Sequence, residues 1–249
     1  MKFVAVIGYG LGLCVIVINL LTYNELPYLK NLIRQLRGFA DEIYVCDDYS
    51  TDGTWEWLNE QKDLKLFQRK CNWKPGAQRN FLLSKTPYDC WVIKIDADEI
   101  PTFGFRFLIK DILNKASNPP ELQRIFYYCF NLVEDLSHCH EDIGVQARIF
   151  WHSKKNNVRY VDEPHETILG DWDSECGVMK YEQGVVHLKL LDEDKVKVGR
   201  TDYVKHGIYQ KDHIGEVLAS KRVIPLPEHI GFDITSELIN HLKLGVPCA

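Results

Sequence analysis

Along this chain of 249 residues, hydrophobic and polar positions follow two successive regimes. In the first, short apolar runs alternate with helical patterns. Val15–Leu21 reads as a continuous buried strand. Asn24 is placed to cap a helix with Pro27 in its first turn and Gly38 at its end; Leu26, Leu29, Ile33 and Leu36 share one face. Ile43–Cys46 is a short strand, after which Ser50 or Thr51 caps a helix carrying Trp55 and Leu58. Leu64–Phe67 is a third strand, Gly76–Ser84 a short helix, and Cys90–Ile95 a fourth, fully buried strand. Strand and helix alternating in this way predict a parallel sheet covered on both faces, with right-handed crossovers.

The second regime is different. Phe105, Leu108, Ile109, Ile112 and Leu113 mark one more amphipathic helix, ended near Pro119 and Pro120. Strand-like runs follow at Arg124–Val133, Val145–Trp151 and Val185–Leu190, separated by acidic, His-rich loops. They predict antiparallel additions to the sheet. A last helix is expected near Thr235–Leu244. No repeat or linker interrupts the chain, which reads as a single domain over 1–249.

Composition narrows the class. Lys and Arg number 30 against 35 Asp and Glu, a net charge of −5, with 45% apolar residues. That is globular composition, and it excludes a disordered or collagen-like chain. Mild acidity argues against nucleic acid as a partner, because counterion release needs a basic surface. The 8 cysteines form no CxxC pair; Cys46 and Cys90, inside apolar runs, read as buried thiols in a reducing, cytoplasmic compartment. From Phe3 to Tyr23 no residue is charged. Such a stretch is long enough to span a membrane. The preferred reading is buried strands broken by Gly8, Gly10 and Gly12, since a span would consume the strand that feeds the first helix. Those glycines are spaced GxGxG rather than GxGxxG and open onto a strand-like run, so they are not a dinucleotide fingerprint. The Tyr-, Lys- and His-rich tail from Thr201 suggests acceptor contacts or a peripheral membrane surface.

The candidate chemistry lies where strands end, the usual ligand edge of an open α/β sheet. One strand runs into Asp47-Asp48-Tyr49-Ser50-Thr51-Asp52-Gly53-Thr54, another into Asp96-Ala97-Asp98-Glu99. Either cluster alone is a common turn or cap sequence. Together they predict hard oxygen ligands for Mg²⁺ or Mn²⁺ held with substrate phosphates. No residue adjacent in sequence neutralises both Asp96 and Asp98.

With Asn24-Glu25, the Asp47–Thr54 segment, Gly76-Ala77-Gln78-Arg79-Asn80 and Asp96-Ala97-Asp98-Glu99 in this order, the chain resembles the family 2 glycosyltransferases of GT-A fold. Downstream, Arg148-Ile149-Phe150, Pro164-His165-Glu166 and Val186-His187 are similar to the lipopolysaccharide-core-type members. The resemblance implies a metal-dependent, inverting transfer from a UDP-, GDP- or dTDP-sugar to a glycan or related hydroxyl acceptor. It assigns residues 1–120 to the nucleotide sugar, 121–200 to acceptor and catalysis, and 201–249 to an extension. Asn24, Glu25, Asp48, Asp52, Arg79 and Asp96 would line the donor site, Asp48 at the nucleobase and Asp96 at the ribose or a metal-bound water. Asp52 serves equally well as a helix cap. Asp98 would ligate the metal, with His187 completing its shell. Glu166 would be the general base, steadied by His165, with Asp142, Asp162 and Glu163 as rivals. Two other readings stay open on the sequence: a nucleotidyltransferase acting on sugar phosphates, and a non-catalytic sugar-nucleotide-binding protein.

Overall fold

The computed structural model describes residues 14–72, 74–116, 119–141, 143–163, 165–172, 176–188, 191 and 222–242. In chain order these form β1 (Ile16–Thr22), α1 (Leu26–Leu36), β2 (Glu42–Asp47), α2 (Thr54–Glu60), β3 (Leu64–Gln68), α3 (Pro75–Lys85), β4 (Cys90–Asp96) and β5 (Glu99–Pro101). Then come α4 (Phe103–Asn114), β6 (Arg124–Asn131), β7 (His138–His140), β8 (Gly144–His152), β9 (Arg159–Glu163), β10 (His165–Leu169), β11 (Gly177–Val178), β12 (Val185–His187), β13 (Val223–Pro225) and α5 (Ser236–His241).

The main sheet has the order β3-β2-β1-β4-β8-β6-β12-β5, with β11 beside β6. The strands β3, β2, β1 and β4 are parallel. β8 runs antiparallel to both β4 and β6, β12 parallel to β6, and β5 antiparallel to β12. The fold is thus the mixed, largely parallel α/β sheet expected from the sequence. One connection shapes it. Only Ala97 and Asp98 separate β4 from β5, yet β5 pairs at the far end of the order. The sheet must curl until its last strand meets the carboxyl end of β4, and the ends of β6 and β12 are brought to the same place.

Both faces are covered. Ile16, Ile18 and Leu20 of β1 pack with Leu29, Leu32, Ile33 and Leu36 of α1 and with Phe105, Ile109 and Leu113 of α4. On the other face Val17, Tyr44, Cys46 and Val92 meet Leu82 and Leu83 of α3 and Tyr160 of β9. Burial raises the Cys46 thiol to about 11 and that of Cys90 to about 12, so both are protonated fillers of this face.

Helix starts differ from the sequence expectation in a consistent way. Asn24 does not cap α1. The first amides of that helix are taken from across the sheet edge: Leu26 N–H donates to Asp52 Oδ2 (3.1 Å) and Glu25 N–H to Thr54 Oγ1 (3.3 Å). Nor do Ser50 or Thr51 cap α2. Gly53, at φ 93°, precedes it, and Asp52 Oδ1 accepts from the Thr54 N–H at 3.0 Å. The later helices follow the local rule, with Thr102 and Thr235 hydroxyls accepting from Phe105 and Leu238 N–H.

The glycines at 8, 10 and 12 and residues 3–13 of the charge-free stretch lie outside the described residues, as do Asp142, Cys248, the tail residues 201–221 and residues 243–249. The rest of that stretch is β1, inside the sheet. Among the described residues no helix is long and apolar enough to cross a membrane.

Candidate active site

In the order β3-β2-β1-β4, the chain steps outward from β1 to β2 and β3, then returns to β4 on the other side of β1. The loops after β1 and β4 therefore diverge and leave a crevice at the carboxyl edge, the usual ligand position. The two acidic segments flank it.

After β2, Asp47 is fully buried; its Oδ2 accepts from Ser50 N–H (3.0 Å) and Gln68 Nε2 (3.1 Å). It fixes the loop that carries Asp48. The Asp48 Oδ1 accepts from Cys71 N–H at 2.8 Å. Burial pushes the Asp48 carboxyl up, partly countered by that amide. Tyr49 is half exposed at φ 57°, a conformation that glycine adopts freely and tyrosine does not. Asn24, at φ 53°, stitches this loop to the one after β1: its N–H donates to Ser50 Oγ (2.8 Å) and its Oδ1 accepts from Thr51 N–H (2.7 Å). Asp52 bridges the starts of α1 and α2. Burial would raise its carboxyl, but hydrogen bonds from the Thr54 hydroxyl and the amides of Leu26 and Thr54 prevail and lower it.

Asp96, at the end of β4, meets two cations brought from elsewhere. Arg79 of α3 pairs with its Oδ1, and Arg148 Nη1 of β8 lies 2.7 Å from its Oδ2. The Arg79 side chain is only 1% exposed, and Nη1 also donates to the Asn19 carbonyl at 3.1 Å. Arg148 reaches Glu99 as well, at 2.7 Å, and Glu99 Oε2 accepts from the Asp96 N–H at 2.9 Å. Burial alone would raise Asp96; Arg79, Arg148 and Lys94 outweigh it and hold the carboxyl far below the usual range. Glu99, fully buried, goes the other way: burial raises it more than Arg148 lowers it.

Asp98 stands in a different setting. Its side chain is 10% exposed, and its Oδ1 lies 3.4 Å from His187 Nε2. His187 Nδ1 is 2.8 Å from Asn131 Oδ1. Leu188 N–H donates to the Asp98 carbonyl at 2.9 Å, so backbone as well as side chain joins the turn to the end of β12. A carboxylate oxygen and an imidazole nitrogen at this separation fit two neighbouring positions around one ion, since bonds of about 2.1 Å at right angles put ligand atoms about 3 Å apart. Among the described residues no group of three or more His, Cys, Asp or Glu is placed to hold a metal alone. An ion here would draw further ligands from substrate, as Mg²⁺-type ions in phosphate sites do.

The hairpin β9–β10 is docked on α3, the helix that carries Arg79. Asn80 Nδ2 donates to the Tyr160 carbonyl and its Oδ1 accepts from the Tyr160 N–H, both at 2.8 Å. Gly76 N–H donates to Asp162 Oδ1 at 2.5 Å. His165 and Glu166 open β10, with Glu166 opposite Asp162 in the register. Gly76 and Arg79 lie one helical turn apart, so α3 supports the hairpin at its start and Asp96 one turn later.

Two groups of predicted residues are thus gathered around one crevice: Asn24, Glu25, Asp48 and Asp52 on its β1–β2 side, Arg79, Asp96, Asp98 and His187 on its β4 side. The sequence gives no individual role to Arg148, Asn131 or Glu99. Arg148 had a signal: it opens the Arg148-Ile149-Phe150 motif and, with Gln146, is polar at alternate positions of β8. Asn131 had none, because its partner lies on a strand 56 residues later.

The sequence profile described as Glycosyl transferase family 2 matches residues 17–168. None of the curated proteins compared with the chain matches it. Among solved structures, the 1–349 piece of TarS from S. aureus superposes with a TM-score of 0.50 at 15% identity, covering 82% of this chain and 69% of that one. The same piece in complex with UDP gives a TM-score of 0.50 at 14% identity, covering 82% and 70%. In a longer TarS structure, at 13% identity and a TM-score of 0.50, this chain spans 42% of the length. At such identities the likeness bears on the fold.

Proposed function

The chain belongs to glycosyl transferase family 2 with its GT-A fold, and from that premise we propose that it moves a sugar from a nucleoside diphosphate donor to a glycan hydroxyl with inversion at the anomeric carbon. The observation that carries this reading is the pair Asp98 and His187, two metal-compatible donor atoms 3.4 Å apart beside the crevice. Their chemistry suits Mn²⁺ or Mg²⁺. Such an ion, when bound, supplies Lewis acidity toward a departing diphosphate.

The residues of the chain then divide the work. Asp48 keeps one carboxylate oxygen beyond its bond to Cys71 for the nucleobase of a UDP-, GDP- or dTDP-sugar. Asp96 turns its remaining lone pairs to the ribose or a metal-bound water. Arg79 and Arg148 hold Asp96 ionised and oriented. Asn24, Glu25 and Asp52 fix the loops around the base. Glu166, steadied by His165, takes the acceptor proton while the acceptor oxygen bonds to the anomeric carbon and the bond to diphosphate breaks. In this reading residues 1–120 bind donor, 121–200 bind acceptor and complete the chemistry, and 201–249 extend the acceptor side. The Asp96-Ala97-Asp98 motif and the His165-Glu166 pair align the chain with the lipopolysaccharide-core-type members.

Calorimetry with UDP, GDP and dTDP, in Mn²⁺ and in EDTA, tests the donor assignment. One diphosphate is expected to bind only with the metal, and the matching nucleotide sugars should undergo slow hydrolysis. Equal affinity in EDTA removes the metal role; no binding by any of the three removes the donor.

A further inference from the structure

We infer that Asn131 is a positioning residue for the metal: it dictates which nitrogen of His187 carries hydrogen and so keeps the position between His187 and Asp98 open to a cation. The inference rests on the proposed metal role of Asp98 and His187 and goes one shell beyond it.

The argument begins with the register. His187 of β12 is paired with Asn131 of the parallel strand β6 on one side and with Glu99 of the antiparallel strand β5 on the other. Leu132 N–H donates to the His187 carbonyl at 3.0 Å, fixing the backbone between the two side chains. The ring is therefore held between Asn131 Oδ1, 2.8 Å from Nδ1, and Asp98 Oδ1, 3.4 Å from Nε2.

An amide carbonyl oxygen only accepts hydrogen bonds, so Nδ1 is the nitrogen that carries hydrogen. A neutral imidazole has one N–H, which leaves Nε2 with a lone pair. That lone pair faces a carboxylate oxygen. Two acceptors 3.4 Å apart repel unless a proton or a metal cation sits between them, and a divalent ion that displaces the proton satisfies both. Without Asn131, the same ring would place its hydrogen on Nε2 and donate it to Asp98. The two prospective ligands would then bond to each other and close the site. Outer partners that fix ligand tautomers in this way typically change metal affinity about ten- to a hundredfold when removed.

Two measurements test this. The first is the tautomer of His187 in metal-free protein, read from long-range ¹⁵N–¹H correlations in mildly alkaline solution and assigned by its loss in His187→Gln. Wild type should show Nδ1–H and Asn131→Leu should show Nε2–H. The second is affinity for Mn²⁺ alone, from the paramagnetic resonance of free ion. Asn131→Leu should bind about ten- to a hundredfold more weakly, while Asn131→Asp, which keeps an acceptor oxygen, should bind as well as wild type. The inference is overturned if wild type shows Nε2–H, if Asn131→Leu leaves tautomer or affinity unchanged, or if Asn131→Asp loses as much as Asn131→Leu. In those cases wild type still binds Mn²⁺ and the proposed function stands. Wild type that binds no Mn²⁺ overturns the metal reading itself, and this inference with it.

Discussion

Asp96 and Asp98 belong to one short motif, yet their surroundings are opposite in kind. Asp96 is held by Arg79 from α3 and Arg148 from β8, with Glu99 completing a buried network. Asp98 faces the ring of His187. The first carboxylate gives buried arginines their counter-charge and has only its remaining lone pairs for the proposed ribose or metal-bound water. The second is aimed at a neighbour that can share a ligand with it. Identical side chains two positions apart thus carry unequal structural loads, because a two-residue turn sends one to the parallel half of the sheet and the other to the curled half.

The contrast continues into the hairpin, where the largest effect is expected. Asp162 is tied to the start of α3, while Glu166 across from it carries the proposed proton transfer. Glu166→Gln should lower kcat by about 10²–10⁴ and leave diphosphate affinity unchanged, as steady-state rates and calorimetry would show. An active glutamine variant moves the base elsewhere. Next comes Arg148→Met, which strands the buried Glu99 and leaves Asp96 to Arg79. It should cost about 3–5 kcal/mol in urea unfolding, the usual range for breaking a buried pair from one side.

β8 itself offers a third test, since it carries Arg148 at the crevice and His152 at its other end. Burial lowers His152 from 6.5 to about 4 in the fold, against a smaller opposing pull from Asp89. The folded state therefore resists a proton that the unfolded chain accepts. The stability that this buried neutral ring confers is fully present above about pH 6.5 and is lost as pH falls toward about 4, by about 3 kcal/mol. His152→Phe should flatten that limb of a pH–stability curve. Asp96 has the same sign but acts at lower pH, because its carboxyl is depressed below the ordinary carboxylate value.

Smaller effects follow at the donor loops. Asp48→Ala should weaken donor binding about ten- to a hundredfold, the worth of one charged hydrogen bond, with acceptor KM unmoved. Asp98→Ala should disturb the fold less than Arg148→Met, since Arg148 holds both Asp96 and Glu99. It should nevertheless abolish the Mn²⁺-dependent part of diphosphate affinity. A large loss of stability in Asp98→Ala, or none in Arg148→Met, would reverse the division between the two carboxylates.

The helices and the strands β1–β4, β6, β8 and β12 are legible in the sequence because each buries a stripe made of its own residues, whereas β5, β7, β9, β10, β11 and β13 are not. Val15–Leu21 and Cys90–Ile95 lie within a residue or so of β1 and β4. Helix starts were misread where the cap comes from another loop: Asp52 serves α1 from 26 residues away, and no local pattern encodes that. The same limit governs the site. The acidic segments stood out as residue types at strand ends. Arg148 acts because β8 pairs with β4, and Asn131 because the sheet curls; both depend on a strand order that local periodicity does not contain. Tyr49 gave a warning of a different sort, as a side chain where the backbone is left-handed.

The seating of the hairpin on α3 bears on how this enzyme could be re-engineered. A methyl group at Gly76 would lie 2.7 Å from Asp162 Oδ1, too close for the two to remain as they are. Asn80 hydrogen-bonds β9 through the backbone of Tyr160, whose N–H and carbonyl any residue but proline would supply. A transplanted hairpin of different sequence would therefore need three matches to its host helix: a residue without Cβ at the place of Gly76, a side-chain amide at that of Asn80, and an apolar residue at that of Tyr160 to pack with Leu82 and Leu83. Chimeras that alter these contacts would shift the same helix that steadies Asp96, so a change meant for the hairpin alone would reach that carboxylate as well.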